Sequence, residues 1–150
     1  MDLSKISHSD SIDEAVAALE SLLTGAGFRR DVRTVFIMEA VLYYMPLPRA
    51  EVLLGALAEL SGGKSEGTLL ATCVNSELLQ ASRDMAAGHI FAQLWYFDCD
   101  SLMGSMGYKG HWRTTRAPRT TKAICQDNYG KDTYVPIYGG AECAFLSKLV

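Results

Sequence analysis

The chain has 150 residues, 49% of them hydrophobic and 21% charged, with a formal net charge of -3. That length and balance suit one domain with a core of useful size and exclude a disordered or low-complexity chain. The weak negative charge gives no reason to expect nucleic acid or an anionic membrane as a partner, and no apolar run is long enough to span a bilayer.

Ser11 and Glu14 match a capping box, and Ile12, Val16, Leu19, Leu22 and Leu23 follow at helical spacing. Gly25 and Gly27 stop that helix. The unbroken apolar run Val35-Phe36-Ile37-Met38 reads as a parallel strand buried on both faces. Pro46 and Pro48 end the extended stretch, and Pro48 suits the first turn of a helix carrying Val52, Leu53, Ala56, Leu57 and Leu60. Gly62-Gly63 closes it. Thr68 to Val74 is a second buried strand, expected beside the first in the sheet interior.

Ser76 is placed to cap a further helix running to about Ala87. Residues 89–97 are apolar and aromatic without a clear period. Asp100 to Met106 reads as a short helix ended by Gly107. Thr120 to Gln126 is strand-like, Asp127-Asn128-Tyr129-Gly130 is turn chemistry, and Glu142 to Leu149 is the last strand. With no helix between them, those last two strands are expected to pair antiparallel. The order predicts an open α/β sheet of parallel strands and helices, closed by an antiparallel pair.

Cys73, Cys99, Cys125 and Cys143 lie far apart, with no Cys-x-x-Cys pair and no histidine at ligand spacing. They read as reduced, mostly buried thiols rather than a disulfide or metal framework. Residues 1–10 have no apolar core of a signal peptide, so a cytoplasmic protein is expected. His8, His89 and His111 have no partner spacing, and Arg113, Arg116, Arg119 and Lys122 read as a solvated face.

The run Thr34-Val35-Phe36-Ile37-Met38-Glu39-Ala40-Val41-Leu42-Tyr43-Tyr44-Met45 resembles the signature of the leucine carboxyl methyltransferase-like family. There a strand is followed by a glutamate, a small residue, and then a leucine and a tyrosine two apart. Gly27-Phe28 upstream resembles the family's Gly-Phe-Asp, with Arg29 in place of the aspartate; Arg33 stands where a proline is usual. Asp2-Leu3 is similar to the family's adenosine-contacting pair. Leu94-Trp95-Tyr96-Phe97, Leu102 and Gly107-Tyr108 resemble a downstream stretch of the relatives.

The resemblance implies a Rossmann-like class I methyltransferase sheet, with S-adenosyl-L-methionine across the carboxyl ends of the strands. It implies that Asp2 and Leu3 bracket the adenine and that Glu39 accepts hydrogen bonds from the ammonium of the methionine part. Tyr43 and Tyr44 read more readily as packing at the strand end, with Tyr44 the candidate for lining an acceptor pocket. Trp95, Tyr96 and Phe97 read as core rather than lid. A carboxylate buried at the end of an apolar strand is costly without a role, which favours Glu39. The expected reaction is methyl transfer to an oxygen nucleophile, such as a carboxylate on a small molecule or a protein; no catalytic base and no metal are identified.

No strand–glycine loop–helix unit occurs in the chain, and no acidic residue ends a second strand to hold a ribose. The resemblance therefore implies that residues 1–150 are the C-terminal half of a methyltransferase domain, a truncated, split or degenerate copy. An unpaired sheet edge is then open to association. The competing reading is a non-catalytic α/β module, either a pseudoenzyme or half of a two-chain assembly.

Overall fold

The structure is a computed structural model that describes residues 11–62, 67–85, 94–129 and 142–149. It is α/β, with a four-stranded mixed sheet and five α-helices among the described residues. In chain order these are α1 (Ile12–Gly25), β1 (Val35–Met38), a 3-10 turn (Leu42–Tyr44), α2 (Leu47–Leu60), β2 (Thr68–Val74), α3 (Ser76–Arg83), α4 (Cys99–Lys109), β3 (Trp112–Thr120), α5 (Thr121–Tyr129) and β4 (Glu142–Leu149).

Helix starts follow local chemistry. The Ser11 hydroxyl accepts from the Glu14 amide at 3.3 Å, and Asp13 and Glu14 sit in the first turn, where the helix dipole favours negative charge. α1 ends as the chain turns left-handed at Gly27, φ +92°. α2 starts behind Pro46 with Pro48 in its first turn and is buried on almost every side, from Ala50 to Leu60. Gly55 lets α1 approach it: a Cβ there would sit 2.7 Å from Ile12 Cδ1. Asn75, one residue ahead of the expected Ser76, caps α3 by accepting from the Leu78 amide at 2.8 Å; α3 ends at Arg83, short of the expected Ala87, which lies outside the described residues. Asp98 caps α4, which starts at Cys99, runs through Gly107 and stops only at Gly110, φ +74°. Gly107 is helical because nothing after it stops the ladder until the left-handed turn at Gly110.

The strand order is β1-β2-β4-β3. β1 and β2 are parallel, with Val35 opposite Thr68 and Met38 opposite Ala71. β4 runs antiparallel to β2 along its whole length, from Thr68↔Lys148 to Val74↔Glu142. β3 pairs antiparallel with β4, with irregularities on either side of Arg116. Leu69, Ala71, Cys73, Phe145 and Ser147 point into the core, which they share with α1, α2 and α4. Trp112 fastens β3 to this core, its indole N–H donating to the Leu54 carbonyl at 2.8 Å.

Two expectations are corrected. The adjacent parallel pair is present, but β1 does not lie in the sheet interior: Val35 is 56% and Ile37 69% exposed. Only Phe36 and Met38 pack on the core. An apolar run makes a good strand, but burial on both faces is supplied by neighbours, and among the described residues none covers this side. The second correction concerns the strand paired with β4. Residues 112–120 form it, and Thr121–Tyr129, expected as strand and turn, are helix. The Thr120 hydroxyl accepts from the Ala123 amide at 3.2 Å, as an N-cap does, and Asn128 donates back to the Ile124 carbonyl at 2.8 Å. The apparent alternation over 123–125 is local noise; these residues are all half-buried.

Candidate functional site at the carboxyl ends of the parallel strands

β1 and β2 run in the same direction and finish side by side, the place where open α/β sheets bind ligands. Glu39 directly follows β1 and is exposed. The cost of burying a charge therefore gives no argument for its role; what singles it out is position.

The next residue, Ala40, is left-handed with φ +51°. For a residue with a Cβ this costs about 1–2 kcal/mol, so the surroundings must hold it. Its amide donates to Thr72 Oγ1 at 2.9 Å. The Thr72 hydroxyl in turn donates to Glu142 Oε1 at 2.8 Å, and the Tyr43 hydroxyl donates to the same oxygen at 3.3 Å. Hydrogen bonds to charged groups contribute about 1.5–3 kcal/mol each, enough to offset the strain. The end of β1, the 3-10 turn, the middle of β2 and the first residue of β4 are thus tied together.

Tyr43 is buried, and its ring stacks at a tilt on Tyr44 (centroids 4.8 Å) and meets Trp95 edge-on (6.3 Å). Burial first, and then the negative charge of Glu142, raise its phenol well above the usual range, so it remains a donor. Tyr44, the candidate for the acceptor pocket, is exposed beside it. Trp95 and Phe97 are core, as expected, while Tyr96 is exposed and its amide donates to the Tyr43 carbonyl at 3.0 Å. Leu102 is core and Tyr108 is exposed.

Three thiols gather behind this end of the sheet. Cys73 and Cys143 are directly opposite on β2 and β4, and Cys99 opens α4. Burial raises Cys73 and Cys143, and raises Cys99 to about 12; neighbouring thiols and carboxylates add to Cys73 and Cys99, and Asp100 and Glu142 add to Cys143. They are protonated, inert core groups at neutral pH. All four cysteines are free, and no group of metal-ligating side chains occurs among the described residues.

Asp2, Leu3, His8, His89 and residues 89–93 lie outside the described residues. Phe28 packs on Phe36, ring centroids 6.4 Å apart, while Arg29 pairs with Asp31 beside it. Arg113, Arg116, Arg119 and Lys122 are exposed, and Arg119 pairs with Asp127. The structure brings Glu39, Tyr43 and Tyr44 to one end of the sheet. Reading the sequence missed Thr72 and Glu142; no local signal marks either, because their partners are 70 and 99 residues apart.

Among the described residues, no helix is long and apolar enough to cross a membrane. Compared with known families and curated proteins, the chain matches no family model and no curated relative.

Proposed function

We propose that this chain is the C-terminal half of a class I S-adenosylmethionine-dependent methyltransferase of the leucine carboxyl methyltransferase-like kind. The observation that carries the reading is the placement of Glu39: it leaves the carboxyl end of a parallel strand, in the run Glu39 to Met45, beside the end of a second parallel strand.

Further support comes from the sheet. Two parallel strands joined through α2 are followed by an antiparallel end, the order the resemblance implies. Parallel sheets are ordinarily covered on both faces. Here Val35, Ile37 and Leu70 are exposed on the face away from α1 and α2. Beside β1 runs an apolar groove of about 270 Å³ whose lining includes Leu19, Leu23, Phe36, Ile37, Leu53 and Leu57, so Ile37 reaches its rim. A glycine-loop half with strands beside β1 would cover both.

The residues fit the cofactor in part. Glu39 suits an ammonium group, and Glu142 adds negative charge at the same end. Among the described residues the left-handed glycines, Gly27 and Gly110, end helices and form no phosphate- or ribose-approaching loop. When bound, S-adenosylmethionine supplies a methyl group on a sulfonium. Glu39 would accept from the ammonium and fix the methionine end. Tyr44 would line the acceptor side. A carboxylate acceptor is ionised near neutral pH and needs no base, so the protein's task is to align acceptor and methyl group. The other reading, a non-catalytic half of a two-chain assembly, is favoured by the same edge and by the absence of a glycine loop among the described residues.

Calorimetric titration of S-adenosylmethionine separates these readings. The titrated proteins are the 150-residue chain and a version joined to a glycine-loop half, each with and without Glu39→Ala. The short chain is expected to bind weakly or not at all. The joined protein should bind, and Glu39→Ala should weaken it roughly 10- to 150-fold, the loss of one charged hydrogen bond. Micromolar binding by the short chain overturns the half-site reading. Unchanged affinity on Glu39→Ala removes the site.

A further inference from the structure

We infer that Glu142 is a positioning residue for Glu39: it holds the strained turn at Ala40 and so sets the direction in which the Glu39 carboxylate leaves β1. The inference rests on the methyl-transfer reading only for what Glu39 grips; the turn itself is geometry.

Ala40 is the only non-glycine residue with positive φ among the described residues, and it sits immediately after Glu39. Its amide has turned out of the β1–β2 ladder and donates to the Thr72 side chain instead. A threonine hydroxyl can rotate freely, and alone it is an indifferent acceptor. Glu142 removes that freedom. Its Oε1 takes the Thr72 proton at 2.8 Å, leaving the threonine lone pairs toward Ala40. The same oxygen takes the Tyr43 proton at 3.3 Å, which anchors the other end of the segment after Glu39. An ionised carboxylate only accepts, so both hydroxyls are forced to donate and the chain of bonds has one direction. The raised phenol of Tyr43 is consistent with this. Residues 39–43 are therefore clamped at two points by one carboxylate from the last strand.

The test uses the full chain. Amide hydrogen exchange at Ala40 is measured in the native protein, Glu142→Ala, Glu142→Gln and Thr72→Val. Glu142→Ala should speed exchange at Ala40 tenfold or more, approaching Thr72→Val, while the Leu70 and Leu146 amides keep their rates. Glu142→Gln keeps an oxygen acceptor and should restore most of the protection. An unchanged Ala40 rate overturns the inference, and so does equal acceleration everywhere, which would mean a merely structural role. A second arm follows S-adenosylhomocysteine binding by chemical-shift titration, which reads millimolar affinities. Glu39→Gln and Glu142→Ala should each weaken binding about tenfold, and the double variant no more than either. Weakening by Glu39→Gln alone overturns the positioning of Glu39 and leaves the methyltransferase reading standing. Absence of binding in every protein agrees with the half-site reading, and the exchange arm then decides the inference by itself.

Discussion

The two edges of this sheet are built differently. β3 reads Trp-Arg-Thr-Thr-Arg-Ala-Pro-Arg-Thr, with three arginines, a proline and two irregularities in its pairing. Charge, proline and bulges are what natural proteins place on a strand that must not be extended. β1 reads Val-Phe-Ile-Met and has none of them. One edge is finished against solvent; the other is apolar and, among the described residues, open, with Val35 and Ile37 exposed. The contrast teaches what distinguishes a protected edge from an unprotected one: β1 ends the sheet among the described residues without the charges, proline or bulges that β3 carries.

The comparison assumes that the strength of the sheet lies between its edges. Phe145 on β4 is buried opposite Ala71 and sits at that centre. Phe145→Ala should cost about 3–5 kcal/mol, read from the urea midpoint, because it removes a buried ring and leaves a cavity in the sheet centre. A loss below 1 kcal/mol would mean that the centre is not where the fold is held.

The next effect is on pH. Cys73, Cys99, Cys143 and Tyr43 are all raised, burial being the first cause of each. A raised folded value leaves stability whole below the ordinary thiol range and removes it as pH climbs toward the folded value. Cys99 moves from an ordinary 9.0 to about 12. Denaturant midpoints should therefore be flat with respect to these groups from neutral pH to about 9 and fall between 9 and 12. Cys99→Ala should make that fall shallower; the same slope in the variant would show that this thiol is not the sensor.

Smaller is the effect of Ala40→Gly, which relieves the left-handed strain and should stabilise the chain by about 0.5–1 kcal/mol. Destabilisation would mean that the methyl group is packed rather than strained. Smallest is Ile37→Lys, expected to change stability by less than about 0.5 kcal/mol because the side chain faces water. The same variant should reduce self-association in sedimentation at high concentration, since a charge on an open edge blocks strand addition. A large loss of stability would place a cover over β1 and end the contrast with β3.

Much of the fold was legible without coordinates. α1, β1, β2 and β4 begin and end where caps, glycines and apolar runs placed them. β3 was not, because its only large apolar residue is Trp112 and its charges belong to an edge rather than to a half-buried strand. α5 replaces the expected strand over Thr120–Gln126, and its cap at Thr120 shows only where the hydroxyl meets the Ala123 amide. Of the candidate site, Glu39, Tyr43 and Tyr44 were found through their shared run, while Thr72 and Glu142 carry no pattern.

What the amino-acid sequence determined by itself is local: the type of most segments, β3 and α5 excepted, and where most of them stop. Those outcomes depend on side chains within a turn or two of each other, and their signals lie together in the chain. Sheet order, the exposure of β1 and the network on Glu142 were decided only in the tertiary structure. Each depends on which elements become neighbours, and a hydrogen bond spanning 99 residues leaves no mark near either end. The same apolar run can be a buried strand or an open edge; the difference lies in what packs beside it.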